Sequence, residues 1–370
     1  MRYLLLSAYD AASHQRWREG ITRHLPQHDW TVLALPPRFF VWRLNGNSLS
    51  WAFSEQETLS QDYDCVLATS MTDLSALRGL RPELGQLPTV VYYHENQFAY
   101  PIQKVYERDA FYFQRHNLYN ALCADVLAFN SSYNRNTFLK GVRDFLKKMP
   151  DQVPPGLLER IQERSQILPV PLEADCFHNR PENEVTKPLS ILWNHRWEYD
   201  KAPERFFHAL YALSDAGYDF HLHVAGQQFR KSPKIFKEAR QRLEKHIKTW
   251  GYLETKTAYQ QLLRSCDLTI STALHEFQGL ALQEAVAAGC FPLAPARLSY
   301  QEFLPEHCLY ASFTEEPERE SQALFQAISE FIERPERLKE LPRPDLSPWS
   351  WEVMAPRYED LLLETSKRRE

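Results

Sequence analysis

Ten apolar runs of four or five residues set the limits on what this chain can fold into. They fall in two groups, at 3–7, 31–34, 65–68, 89–93 and 126–129, then at 189–193, 221–225, 249–252, 268–271 and 291–294. Helix-like or loop segments separate them. Such alternation argues for an α/β architecture, with parallel sheets covered by helices on both faces. At 370 residues the chain exceeds one typical core, so two domains are expected. The stretch Leu168-Pro-Val-Pro171 and the polar residues up to Pro188 lack periodicity and read as a crossing. The expected layout is a first domain over 1–170, a crossing over 171–188, a second domain over 189–345 and a terminal segment over 346–370. That last segment shows helical apolar spacing at Trp351, Met354, Tyr358 and Leu361 or Leu362. No internal repeat, phosphate-binding P-loop or Gly-x-Gly-x-x-Gly is present.

Composition narrows the class. An apolar content of 44% is ordinary for a globular protein, and no run reaches the roughly 18–20 residues of a membrane span. The opening Met1-Arg-Tyr-Leu-Leu-Leu-Ser-Ala8 reads as a short strand and not as a signal peptide, so a cytoplasmic location with no membrane partner is expected. Six scattered cysteines without a Cys-x-x-Cys pair fit reduced thiols and argue against a structural zinc. No metal site and no cofactor are expected.

The segment Ser271-Thr-Ala-Leu-His-Glu-Phe-Gln-Gly-Leu-Ala-Leu-Gln-Glu-Ala-Val-Ala-Ala-Gly-Cys290 holds the densest chemistry. It places Glu276 in a strand-to-helix turn and Glu284 inside the helix that follows. Free amides at such a turn, backed by the helix dipole, suit a phosphate or a sugar hydroxyl, and Gly279 permits close approach. A carboxylate accepts two hydrogen bonds from a diol, so the pair suits a ribose and a hexose. The same spacing also occurs on solvated helix faces. A second loop, Asn194-His-Arg-Trp-Glu-Tyr-Asp-Lys201, follows the run 189–193, and Pro203 announces a helix. Arg196 can fork onto two oxygens and Lys201 supplies a point charge, as a diphosphate requires. Ion pairs with Glu198 or Asp200 are the plain alternative.

These two loops, with Trp250-Gly-Tyr252, Asp267 and Ala288-Gly289, resemble the donor half of retaining family 4 glycosyltransferases of the GT-B fold. The whole chain is similar to the tRNA-queuosine mannosyltransferase family. That narrower likeness rests on Tyr93-His-Glu-Asn-Gln-Phe-Ala-Tyr-Pro101, Phe129-Asn-Ser131, His195-Arg-Trp-Glu-Tyr-Asp-Lys201, Ala273-Leu-His-Glu-Phe277 and Trp349-Ser-Trp351. Where that family tends to show a Gly-Gly-Ser-His turn, this chain has Ala11-Ala-Ser-His14.

The resemblance implies two Rossmann-like doubly wound domains facing a cleft, with the terminal helix returning to the first. It implies transfer of mannose from GDP-mannose to the cyclopentenediol of queuosine in the anticodon loop of tRNA-Asp. Arg196 and Lys201 would hold the diphosphate and Glu284 the ribose. Glu276 and the amides of Phe277, Gln278, Gly279 and Leu280 would hold the sugar. His94 would join Glu276 at the reacting centre. Ser13, His14, Glu95, Asn96, Gln97, Asn130 and Ser131 would lie on the acceptor side, although turn-forming and capping roles account for several of them equally well.

A net charge of −5 means that any RNA surface must be local. Between Arg230 and Lys248 eight basic residues stand against Glu238 and Glu244, a formal +6, and Lys140, Arg143, Lys147 and Lys148 form a second cluster. Phe39, Phe40 and Trp42 suit stacking on unpaired bases, or a buried domain edge. A nucleotide-sugar 2-epimerase, a transferase with a non-tRNA acceptor and a non-catalytic RNA-binding protein remain the rival readings.

Overall fold

The computed structural model describes residues 1–101, 109–177, 187–229 and 232–369. Residues 178–186 of the expected crossing, and Arg230 and Lys231 of the basic run, lie outside the described residues. The chain divides into two compact units, Met1–Pro171 with Trp351–Glu370, and Leu172–Ser350.

In the first unit the strands are β1 (Arg2–Ser7), β2 (Asp29–Ala34), β3 (Cys65–Thr69), β4 (Thr89–Tyr93), β5 (Val126–Phe129) and β6 (Ser165–Ile167). They alternate with α1 (Ala12–His24), α2 (Phe40–Ser54), α3 (Gln56–Leu59), α4 (Leu74–Leu80), α5 (Ala110–Cys123), α6 (Ser132–Leu146) and α7 (Leu157–Glu163). The sheet runs β2-β1-β3-β4-β5-β6 and every pairing is parallel. Its central strands β3, β4 and β5 are buried along their whole length, the mark of a sheet covered on both faces.

The second unit carries β7 (Leu189–Trp193), β8 (Phe220–Ala225), β9 (Ile247–Gly251), β10 (Leu268–Ile270), β11 (Phe291–Pro295) and β12 (Leu309–Tyr310). Its helices are α8 (Pro203–Asp215), α9 (Ile235–Arg242), α10 (Lys256–Ser265), α11 (Leu280–Ala287), α12 (Pro317–Glu333) and α13 (Arg337–Glu340). This sheet is also parallel, in the order β12-β11-β10-β7-β8-β9. The order reverses between β1 and β3 in the first sheet and between β7 and β10 in the second. Open α/β sheets bind ligands at the carboxyl ends of strands flanking such a reversal. In the second unit, that position belongs to the loops 194–202 and 271–279.

Helix α14 (Trp351–Ser366) belongs to the first unit and buries Trp351, Met354, Tyr358, Leu361 and Leu362, the spacing read from the sequence. Trp17 Nε1 donates to the Tyr358 hydroxyl at 3.0 Å, and that hydroxyl donates to Tyr92 Oη at 3.1 Å. The chain forms β6 and β12 where no apolar run announces them. Ser165-Gln-Ile167 is too polar, and Leu309-Tyr310 too short, to show a period. Among the described residues no helix is long and apolar enough to cross a membrane.

Gly20 in α1 lies under the Trp351 indole, where an added Cβ would stand 2.1 Å from Cζ2. Alanine for glycine inside a helix usually stabilises by about 1 kcal/mol. Here the clash reverses the sign. Gly20→Ala is expected to lower the thermal unfolding midpoint; a raised midpoint would show that α14 does not seat against α1 this tightly.

Candidate functional site

The loops after β7 and β10 are laced together. Leu274 N donates to the Asp200 carbonyl at 2.8 Å, Thr272 Oγ1 donates to the Lys201 carbonyl at 2.8 Å, and Lys201 Nζ donates to the His275 carbonyl at 2.8 Å. Lys201 Nζ also reaches Glu276 Oε2 at 3.1 Å and Asp200 Oδ2 at 3.3 Å. The lysine is buried. Burial alone would lower its pKa, but Glu276 and Asp200 outweigh it and raise it, so the ammonium stays charged. Burial likewise pushes the Glu276 carboxyl up, yet Lys201 wins and holds it down to about 2. The expected surface ion pair is therefore real for Asp200 and Lys201 but is not on the surface.

Arg196 takes the other course. Its Nη1 lies 3.0 Å from Glu198 Oε2 and its side chain is 48% exposed, as an ordinary solvated pair would be. Its charge still acts on Lys201 through space.

Glu284 is buried on the first turns of α11, where Tyr259 Oη donates to its Oε2 at 3.1 Å. Asn194 Nδ2 donates to the same hydroxyl at 3.0 Å and to the Ala281 carbonyl at 2.7 Å. A chain of hydrogen bonds thus ties the end of β7 to Glu284. Gly279 precedes α11 with φ +85, left-handed backbone that favours glycine, and a Cβ there would stand 3.0 Å from Tyr300 Cε1. Phe277 and Gln278 are buried. The Gln278 side chain turns to Gln283, with Nε2 donating to Gln283 Oε1 at 3.0 Å. Leu280 opens α11, whose first amides have no partner within the helix.

Three residues that the sequence reading passed over hold this arrangement. Glu320 is fully buried between Arg205 (2.7 Å) and Arg297 (2.5 and 2.8 Å). Arg297 then donates to the carbonyls of Ala273 (2.9 Å) and Thr272 (3.1 Å), fixing the stretch that delivers His275 and Glu276. These partners lie on different elements, so no local spacing announces them. His195 belongs to the His-Arg-Trp-Glu string, where the sequence assigns it no role. It is buried, and Nε2 finds no hydrogen-bond partner among the described residues. Burial, with the Lys201 charge added, lowers its pKa to about 4. Nearby, Gln227, Gln228, Trp250, Gly251 and Tyr252 line a concavity of about 500 Å³ past the ends of β8 and β9.

In the first unit His94 directly follows β4 and is buried against aromatic rings. His14 stacks on it at 4.1 Å, Trp17 meets it edge-on at 4.8 Å and Tyr92 lies 4.7 Å away. Burial, then the neighbouring His14, lowers its pKa well below 6.5, so the ring is neutral near pH 7. Its Nε2 has no hydrogen-bond partner among the described residues. Glu95 Oε2 lies 3.1 Å from His14 Nε2, and Asn130 Nδ2 donates to the His94 carbonyl at 2.8 Å.

Asn96 and Gln97 do not present their amides outward. Asn96 Nδ2 donates to Asn134 Oδ1 (2.9 Å) and Thr137 Oγ1 (3.0 Å), and its Oδ1 accepts from the amides of Phe98 and Ala99. Gln97 is buried, with its backbone N donating to Asn117 Oδ1 at 2.7 Å and its side-chain Nε2 directed to Met71 Sδ at 3.9 Å. Both brace the loop that carries His94. Ser131 caps α6 by accepting from Asn134 N. Ser13 is exposed on the first turn of α1. Ala11 has φ −62 and ψ 161, extended backbone that alanine adopts freely, so this turn needs no glycine at that position. Within the basic run, Arg242 is engaged by Asp215 at 2.6 Å and lies over the Tyr211 ring.

Comparison with known proteins agrees with this architecture. The family model described as tRNA-queuosine alpha-mannosyltransferase N-terminal matches residues 2–172, and that of glycosyl transferases group 1 matches residues 177–343. The tRNA-queuosine alpha-mannosyltransferase of Drosophila melanogaster is 32% identical over 317 residues, covering 83% of this chain and 82% of its own. A GDP-mannose-dependent alpha-(1-6)-phosphatidylinositol dimannoside mannosyltransferase of Mycobacterium tuberculosis (strain ATCC 25177 / H37Ra) is 29% identical over 177 residues, 46% of this chain and 44% of its own. The crystal structure of a glycosyltransferase from Rickettsia africae ESF-5 shares the fold, with TM-score 0.62 and 14% identity over 99% of this chain and 98% of that one.

His94 and His195 stay neutral when folded, whereas in the unfolded chain they titrate near 6.5. Protons therefore favour the unfolded state below pH 6.5, and stability present above it is lost as pH falls toward about 4. Calorimetry across this window should show a falling midpoint, with a shallower fall for His195→Gln. A midpoint independent of pH over that window would contradict the burial of these rings.

Proposed function

Since the chain belongs to the tRNA-queuosine alpha-mannosyltransferase family, we propose that it transfers mannose from GDP-mannose to a cyclopentenediol hydroxyl of queuosine in the anticodon loop of tRNA-Asp, with retention at the anomeric carbon. The observation that carries this reading is the joining of Lys201 and Glu276 at the order reversal of the second sheet. The donor named for the mycobacterial relative supports GDP-mannose, and the acceptor named for the Drosophila relative supports queuosine.

In this reading Lys201 and Arg196 neutralise the diphosphate as it leaves, with Lys201 held in place and Arg196 swinging from Glu198. Glu284, oriented by Tyr259, takes the ribose diol. Glu276 and the amides around Gly279 hold the mannose hydroxyls. The concavity at Trp250 and Tyr252 takes the base. His94, an uncharged imidazole, keeps the role that family resemblance gives it at the reacting sugar. The acceptor oxygen bonds to the anomeric carbon as the bond from that carbon to the phosphate oxygen breaks. The acceptor proton passes to the leaving phosphate on the same face. The two cations do the charge neutralisation, so the reaction needs no metal, and the protein works in the cytoplasm, where its tRNA is.

Mass spectrometry of tRNA nucleosides should show a hexose on queuosine after incubation of queuosine-containing tRNA with purified protein and GDP-mannose, unchanged by EDTA. No added hexose, or an inverted anomer, would sink the assignment. Lys201→Ala should lower turnover about 100- to 1,000-fold, the range for removing a preorganised charge-stabilising donor. Turnover equal to wild type would remove Lys201 from the diphosphate clamp.

A further inference from the structure

Two helices of the first unit, α2 and α5, lie in stretches that carry arginine and exposed aromatics but no acidic residue. Residues 30–54, which include α2, and residues 110–124, which include α5, contain no Asp or Glu, in a protein with 48 of them. Their Lys and Arg residues are Arg38, Arg43 and Arg115. The rings of Phe40 and Phe113 meet edge-on at 5.6 Å and join the first turns of the two helices.

Large aromatic side chains stand exposed on both. Trp42 is 50% exposed, yet its indole is held in place. A Cβ added at Gly46, one turn along α2, would lie 2.8 Å from Cε3, Cη2 and Cζ2 alike. Equal approach of three ring atoms means that the indole lies flat on the helix backbone, with its other face to solvent. Glycine inside a helix is unfavourable, and what it permits here is this seat. Phe39 is 71% exposed, in left-handed backbone at φ 57, with the Arg38 guanidinium 5.7 Å from its ring. Such backbone is rare for a bulky residue and gathers at functional positions. On α5, Arg115 lies over Tyr112 at 5.8 Å and over Tyr119 at 5.5 Å, a ladder along one exposed helix face.

Unpaired bases offer flat π faces and their phosphates offer negative charge. Flat aromatic seats interleaved with arginines and free of carboxylates complement both. We propose that the α2 and α5 face of the first unit, with Trp42 on Gly46 at its centre, stacks unpaired bases of an RNA loop. This rests on the proposed tRNA acceptor and says which surface engages it. Arginines with no acidic residue on the same two helices favour a polyanion over a protein partner.

The test uses the full chain and measures binding of a hairpin RNA with the sequence of the anticodon stem and loop, beside a blunt duplex of the same stem. Trp42→Leu should weaken hairpin binding about 5- to 150-fold, the range for loss of one base stack. Duplex binding and the unfolding midpoint should be unchanged. Gly46→Ala, which favours the helix, should weaken hairpin binding without lowering the midpoint, and Arg115→Gln should weaken it and flatten its salt dependence. Hairpin affinities equal to wild type for Trp42→Leu and Arg115→Gln would overturn the proposal. So would no hairpin binding by the wild type, or variants that alter only self-association in sedimentation. Hexose transfer to tRNA is assayed in parallel. Wild-type protein that binds the hairpin through Trp42 but adds no hexose would leave the surface standing and remove the acceptor reading.

Discussion

The contact of Lys201 with Glu276 is the constraint around which the second unit is organised. Lys201 is buried and Glu276 about one-fifth exposed, and breaking a buried pair so that a charge is left uncompensated costs about 3–5 kcal/mol. Surface pairs such as Arg196 with Glu198 contribute about 0–1 kcal/mol. The difference decides which cation is fixed and which is available to move. Because Lys201 comes from the loop after β7 and Glu276 from the loop after β10, one ion pair sets the distance between the two strand ends that flank the sheet's reversal. Backbone hydrogen bonds between the same loops, and Arg297 braced on Glu320, make that distance a property of the fold.

Charge balance follows from this geometry. Lys201 is met by two carboxylates and a carbonyl, so its own pocket is not net positive. In the proposed function, an incoming diphosphate would then depend on Arg196 for added positive charge and on Lys201 for position. Buried neutral imidazoles complete the pattern. His94 and His195 are each kept uncharged by burial beside a second basic group, and each keeps one ring nitrogen without a hydrogen-bond partner among the described residues.

Much of this was legible in the chain itself. The ten apolar runs correspond to ten of the twelve strands, because parallel strands buried on both faces are continuous hydrophobic stretches. The turn at Glu276 and the helical placement of Glu284 followed from β-prone residues giving way to Ala, Leu, Gln and Glu. The misses share a cause. Arg205, Arg297 and Glu320 meet from separate parts of the chain, and Asn194 and Tyr259 reach Glu284 in the same way, so these partners look unremarkable in their own neighbourhoods. Asn96 and Gln97 read as ligand groups because polar residues after a strand usually face a site. Here Asn134 takes the Asn96 side chain, and Met71 and Asn117 take the side chain and backbone N of Gln97, none of them near in sequence.

In the proposed function, Lys201 and Glu276 act on the donor as one unit. A double-mutant cycle measured by calorimetric binding of GDP, using Lys201→Gln, Glu276→Gln and the double variant, addresses this directly. Coupling predicts a double variant no weaker than the worse single variant, because either single change already removes the contact between the two. Strictly additive losses would mean that the two residues meet the nucleotide independently and that the pair does not organise the site.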